Sequence, residues 1–134
     1  MIRRALITLL VLGFAACGDD GLSLEDIVGT YTLQTIDGES IPWVKAQTGT
    51  TYTLEVTGGN IILNALRTCT NTIVFRETQD GNVTTETETV VCQYSFTDGV
   101  LLLTFPVADT ALNASIVGSL LSYTNGGNLY IFSK

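Results

Sequence analysis

The sequence predicts an all-β domain, an antiparallel up-and-down barrel of eight strands behind a distinct N-terminal segment, with a β-sandwich as the alternative. Three observations carry this. From Ile27 onward the strand formers Thr, Val, Ile and Tyr dominate, and no long amphipathic helical period is present. Turn dipeptides recur at short spacing: Asp37-Gly38, Gly58-Gly59, Asp80-Gly81, Asp98-Gly99 and the run Asn125-Gly126-Gly127. The first residues differ in kind from the rest.

That first stretch reads "MIRRALITLLVLGFAACGDD". Arg3 and Arg4 form a positive n-region, and Ala5 to Ala16 form an uncharged apolar run of twelve residues. This is too short to span a bilayer and suits a signal h-region. Small residues before Cys17 resemble a bacterial lipobox. The likeness implies that residues 1–16 are a signal peptide and that Cys17 becomes the first mature residue, with lipid on its sulfur. Two or more acyl chains would anchor it stably. An ordinary secretory signal with an incidental Cys17 is the alternative. Gly18 follows in place of the Asp that retains Gram-negative lipoproteins at the inner membrane. The expected place is therefore the cell envelope, at the outer membrane for a Gram-negative source.

Without residues 1–16 the chain has 118 residues, one domain's worth, and a formal charge of −9. Such acidity excludes nucleic acid as a partner class, keeps a domain soluble, and admits a cationic protein partner. Residues 17–26 (Cys17, then "GDDGLSLED") read as a lipidated cysteine and flexible tether reaching at most about 30 Å from residue 18 to 26. Residues 27–134 form the domain.

Eight strands are expected over residues 28–36, 50–57, 60–64, 68–78, 83–96, 100–105, 114–124 and 128–134. Tight turns between them make neighbours antiparallel, and closure removes sheet edges. Two longer connections, residues 38–49 with Pro42 and Trp43, and residues 106–113, interrupt the meander.

Cys69 and Cys92 remain as an even pair in an oxidising compartment, which favours a disulfide. The chain has no histidine, so a zinc site, a Cys-His nucleophile and an ordinary hydrolytic triad are all disfavoured. No enzyme activity, metal or cofactor is expected. With Asp80-Gly81 as hairpin centre, cross-strand partners share an index sum of 161, and Cys69 with Cys92 satisfies it. A four-residue loop, Gln79 to Asn82, would set the pair in a non-hydrogen-bonded site, where side chains lie closest. A two-residue loop keeps the sum but gives a hydrogen-bonded site. The same register points Cys69, Ile73, Phe75, Val90, Cys92, Tyr94 and Phe96 inward, and leaves a Thr-rich face to water.

Glu86 and Glu88 share the inward face near the turn, about 6.5–7 Å apart. They could serve acid–base chemistry or a cation; the plainer reading is a solvated hairpin tip. Trp43, the single tryptophan, either lines a pocket or plugs the core.

"IVGTYTLQTIDGESIPW", "RETQDGNVTTETET" and the terminal "NLYIFSK" resemble small bacterial lipocalin-like lipoproteins, from about residue 27 to the end. The resemblance implies an eight-stranded barrel with an apolar cavity for a small hydrophobic ligand. It also aligns Gly29-Thr30-Tyr31 with the family's Gly-x-Trp motif, whose ring packs across the barrel base beside a late-strand arginine. Lys134 would stand for that arginine. Trp43, Phe75, Tyr94 and Phe96 are the candidate ligand contacts. The expected function is non-enzymatic binding of a small apolar ligand by a membrane-anchored barrel. The alternatives are an inhibitor or interaction protein for a cationic lysozyme or protease, and a structural envelope lipoprotein.

Overall fold

Asp80 and Gly81 both adopt positive φ, 49° and 81°, the backbone of a two-residue hairpin turn whose twist matches that of the strands it joins. Asp37-Gly38, Asp98-Gly99 and Gly126-Gly127 do the same. Gly118 (φ 59°) leads a fifth two-residue turn, Gly118-Ser119. These turns order the chain into α1 Leu24–Ile27, β1 Gly29–Ile36, β2 Glu39–Ser40, β3 Trp43–Thr48, β4 Tyr52–Leu63, β5 Thr68–Gln79, β6 Asn82–Thr97, β7 Val100–Phe105, β8 Thr110–Val117, β9 Leu120–Asn125 and β10 Asn128–Ser133. The computed structural model describes residues 22–134. The signal segment 1–16, Cys17 and residues 18–21 lie outside the described residues.

Eight antiparallel strands close into an up-and-down barrel: β1, β4, β5, β6, β7, β8, β9 and β10. Closure falls on β1, whose Gly29–Thr32 pairs with Asn60–Leu63 of β4 while Thr32–Ile36 pairs with β10. Outside this ring, β2 folds back on β1 and β3 pairs with the first half of β4.

The strand count agrees with the sequence, but two boundaries differ in compensating ways. Gly58-Gly59 is no turn: β4 runs through it as one strand, with a register shift between Val56 and Gly58. A Cβ on Gly59 would sit 2.6 Å from the Thr72 carbonyl oxygen, so the glycine admits a close backbone approach within the sheet. Conversely, residues 114–124 are split between β8 and β9 by Gly118-Ser119. The second long connection shrinks to four residues, 106–109, because β8 begins at Thr110.

Gln79 pairs directly with Asn82, so the β5–β6 loop has two residues and not the four expected. The index sum is unchanged. Cys69 lies opposite Cys92 with Cα atoms 4.8 Å apart, and the disulfide forms. Both cysteines are buried, as is Tyr94, while Val83 and Val91 on the other face are exposed.

The N-terminal part of the domain also departs from expectation. Residues 24–26, expected in the tether, belong with Ile27 to α1, which seals the barrel end where β1 starts. Its sequence signal is Ser23 three residues before Asp26, a short form of the capping box. The Asp26 carboxylate accepts hydrogen bonds from Ser23 N (2.7 Å) and Oγ (2.8 Å), which hold its pKa below the usual carboxylate range. Ile27 is fully buried beneath the barrel, and Leu22 and Leu24 pack on the same core. Tyr31 donates its hydroxyl to the Ile27 carbonyl at 2.7 Å. Lys134 donates to the Asp26 carbonyl at 2.9 Å with its ammonium 5.8 Å from the Tyr31 ring centre. Gly29 (φ 142°) leaves room for the Lys134 stem: a Cβ there would meet Lys134 Cε at 2.8 Å.

Strand lengths explain the remaining shape. β4, β5 and β6 have 12, 12 and 16 residues, against 6 in β7, β9 and β10. β7 covers β6 only from Gln93 on. The surplus of β4, β5 and β6, with β3, stands beyond the barrel mouth as an open four-stranded flap.

Candidate functional site

Antiparallel alternation sends every second side chain inward, and position along the strand decides whether that side chain meets the sealed end or the mouth. Tyr31, Leu63, Cys69, Leu101, Leu121 and Phe132 fill the sealed half and are buried. At the mouth the filling stops. A cavity of about 350 Å³ opens there, lined by Ile73 and Phe75 of β5, Glu88 and Val90 of β6, Phe105 of β7, Leu112 of β8, Tyr123 of β9 and Tyr130 of β10. Lys45 from the flap, Asn71, Ala108, Thr110 and Asn125 complete the wall.

The wall mixes apolar side chains, Ile73, Phe75, Val90, Phe105 and Leu112 among them, with the polar and charged groups of Lys45, Asn71, Glu88, Thr110 and Asn125, so it can meet both an apolar body and polar groups of a small molecule. The Tyr123 ring stacks on Tyr130 (5.4 Å) and Phe132 (5.5 Å), a column that runs from the mouth into the core. Asn71 Nδ2 donates to the Tyr123 hydroxyl at 2.9 Å. Asn71 Oδ1 is buried and has no hydrogen-bond partner among the described residues. Lys45 places its ammonium 5.0 Å from the Phe75 ring centre, so the flap carries a cation to the rim. Glu88 brings the opposite charge to the same opening.

Burial pushes the Tyr123 hydroxyl up to about 12, against the opposing pull of the Asn71 hydrogen bond. Burial also raises Tyr31, Tyr94 and Tyr130. A folded-state pKa above the unfolded one means stability that is whole below about pH 10 and lost as pH rises through 12. Tyr123 alone is expected to remove about 2–3 kcal/mol over that window. Urea midpoints measured from pH 9 to 12 should fall, and fall less in Tyr123→Phe.

Of the four candidate ligand residues, only Phe75 lines the cavity. Trp43 is half-buried at the start of β3, opposite Val56, and packs against the flank of the core. Tyr94 points inward at the sealed half and donates its hydroxyl to the Asn64 carbonyl. Phe96 is half-buried near the Asp98-Gly99 turn, at that same end. Cys69 and Cys92 form the disulfide and take no part in the cavity. Glu86 and Glu88 lie opposite Phe75 and Ile73, and both are exposed on the flap. Among the described residues no three Cys, Asp or Glu side chains converge as a metal site would require. The wall residues Phe105, Leu112, Tyr123 and Tyr130 were missed. Hairpin parity could mark them as inward, but only the position of α1 shows which end stays open.

Compared with protein-family models, curated proteins and solved structures, the chain matches none.

Proposed function

We propose that this is a lipid-anchored envelope protein that binds a small hydrophobic ligand, without catalysis, in the mouth of its barrel. The observation that carries the reading is the cavity of about 350 Å³, walled by Phe75, Ile73, Val90, Phe105, Leu112 and Tyr130. Its size falls at the lower end of small-molecule sites, so the ligand is compact. Lys45 and Glu88 at the rim suit a ligand with an apolar body and a polar end. The contact of Lys134 with Tyr31 supports the lipocalin-like reading at the barrel base. The lipobox-like "FAAC" supports the anchor.

These two supports fit together in space. The described chain begins at Leu22, packed at the sealed end. Four residues, 18–21, lie between it and Cys17, five residue steps with an extended reach of at most about 18 Å. A lipid on Cys17 therefore sets the sealed end toward the membrane and turns the mouth away from it.

Titration with a fluorescent fatty-acid analogue is expected to show saturable one-to-one binding. Leu112→Trp fills the mouth and should weaken it by about tenfold or more, close to 1.4 kcal/mol. Absence of saturable binding across a panel of apolar probes, or binding indifferent to Leu112→Trp, would refute the reading.

A further inference from the structure

Among the described residues, β6 has no neighbour on one side before Gln93. A two-residue turn is flanked by a hydrogen-bonded pair, here Gln79 with Asn82, so even-numbered residues of β6 bond to β5. The Tyr94 N–H, bonded to the Arg67 carbonyl at 2.9 Å, follows the same parity. Odd-numbered residues aim their N–H and C=O groups the other way. From Gln93 onward these meet β7; at Val83, Thr85, Thr87, Thr89 and Val91 no strand of the described residues lies beside them. Residues 82–89 are all exposed.

Sheet edges are usually blunted by a bulge, a proline, a lysine or an inward-pointing charge. The opposite edge of the flap, β3, has two of these: a register shift between Val44 and Ala46, and Lys45. The β6 edge has no bulge, proline or lysine, and its inward-side charges, Glu86 and Glu88, repel only a like-charged strand. Its register is unbroken from Thr68–Gln93 to Gln79–Asn82, and "NVTTETETVV" holds no proline and no basic residue.

Charge selects the occupant. The only charged residues on this edge are Glu86 and Glu88, both on the concave face. Pairing two copies edge to edge with concave faces aligned would set these carboxylates against each other, which disfavours a second copy. A basic strand meets the opposite situation. On the free side even-numbered positions are non-hydrogen-bonded, where cross-strand side chains come closest. Lys or Arg at alternate positions of an added strand would thus face Glu86 and Glu88 directly. The net charge of −7 for the whole chain draws such a segment in.

We infer that the free edge of β6, from Val83 to Val91, is a strand-addition site for an extended segment of a partner protein with Lys or Arg at alternate positions. The site adjoins the ligand cavity and shares Glu88 and Val90 with its wall, but it is carried by the free backbone groups of the odd-numbered residues and does not rest on ligand binding.

The probe is a labelled decapeptide of alternating Lys and Thr, with its Glu–Thr counterpart as control, added to the purified protein. Anisotropy should report binding of the basic peptide only. Amide exchange should slow at Thr85, Thr87 and Thr89. Thr87→Pro removes an N–H that β5 does not use, and should weaken binding by about tenfold. Glu86→Gln with Glu88→Gln should weaken it by a similar factor and flatten its salt dependence. Three results overturn the inference: no binding of the basic peptide; binding without amide protection and indifferent to Thr87→Pro, which is charge attraction alone; or edge protection that appears with protein concentration and no peptide, which makes a second copy the occupant.

Discussion

Replacing Cys69 and Cys92 together with alanine is expected to lower the unfolding free energy by about 3.5 kcal/mol. In the chain-entropy account the bond closes a loop of 24 residues and so restricts the unfolded chain. Against a total of about 5–15 kcal/mol for an ordinary domain, this is a large share. Alanine is the informative replacement. Both sulfurs are buried, and serine would strand two hydroxyls in an apolar interior, confounding cross-link loss with desolvation. The urea midpoint should fall, and the m-value should rise as the unfolded chain expands. Reduction of the wild-type protein should reproduce most of the shift. Two titratable thiols in the protein purified without reductant would contradict the pairing outright.

That bond was legible in the sequence because one local feature determined it. Asp80-Gly81 demands positive φ at both positions, which only a few residue types supply cheaply, and the turn then sets every cross-strand partner as far as the cysteines. The loop has two residues where four are expected, yet two- and four-residue loops about one centre share the same partners. The Gly58-Gly59 and Gly118-Ser119 boundaries show where such reasoning stops. A glycine that turns the chain and one that admits a neighbouring backbone carry the same letter. Only the approach of Thr72 to Gly59, a contact between distant strands, separates the two cases.

The cavity was less legible for a related reason. Alternation shows that Phe75, Tyr94 and Phe96 point inward, but not how high each sits on the barrel axis. That height follows from which end is plugged, and the plug is a helix of four residues, too short to show a hydrophobic period. Tyr94 and Phe96 therefore fall in the packed half, Phe75 in the open one. Tyr123 and Tyr130 were hidden further because the strand holding Tyr123 was merged with its neighbour.

The plug offers the second large effect. Tyr31→Ala is expected to cost about 3–5 kcal/mol, the range for truncating a buried aromatic ring. Tyr31 is fully buried, its hydroxyl holds the Ile27 carbonyl, and its ring lies under the Lys134 ammonium. Tyr31→Phe keeps the ring and removes only the hydrogen bond, for about 0.5–1.5 kcal/mol, or more if the Ile27 carbonyl stays buried and unpaired. The difference between the two variants isolates ring packing. Urea midpoints give the energies, and amide exchange at Ile27 and Val28 locates the effect. Both variants should leave the proposed binding at the mouth intact wherever they remain folded, because the packed core of Leu101, Leu121 and Phe132 lies between. If Tyr31→Phe costs as much as Tyr31→Ala, the hydrogen bond that ties α1 to β1 closes the barrel, and the ring merely occupies space.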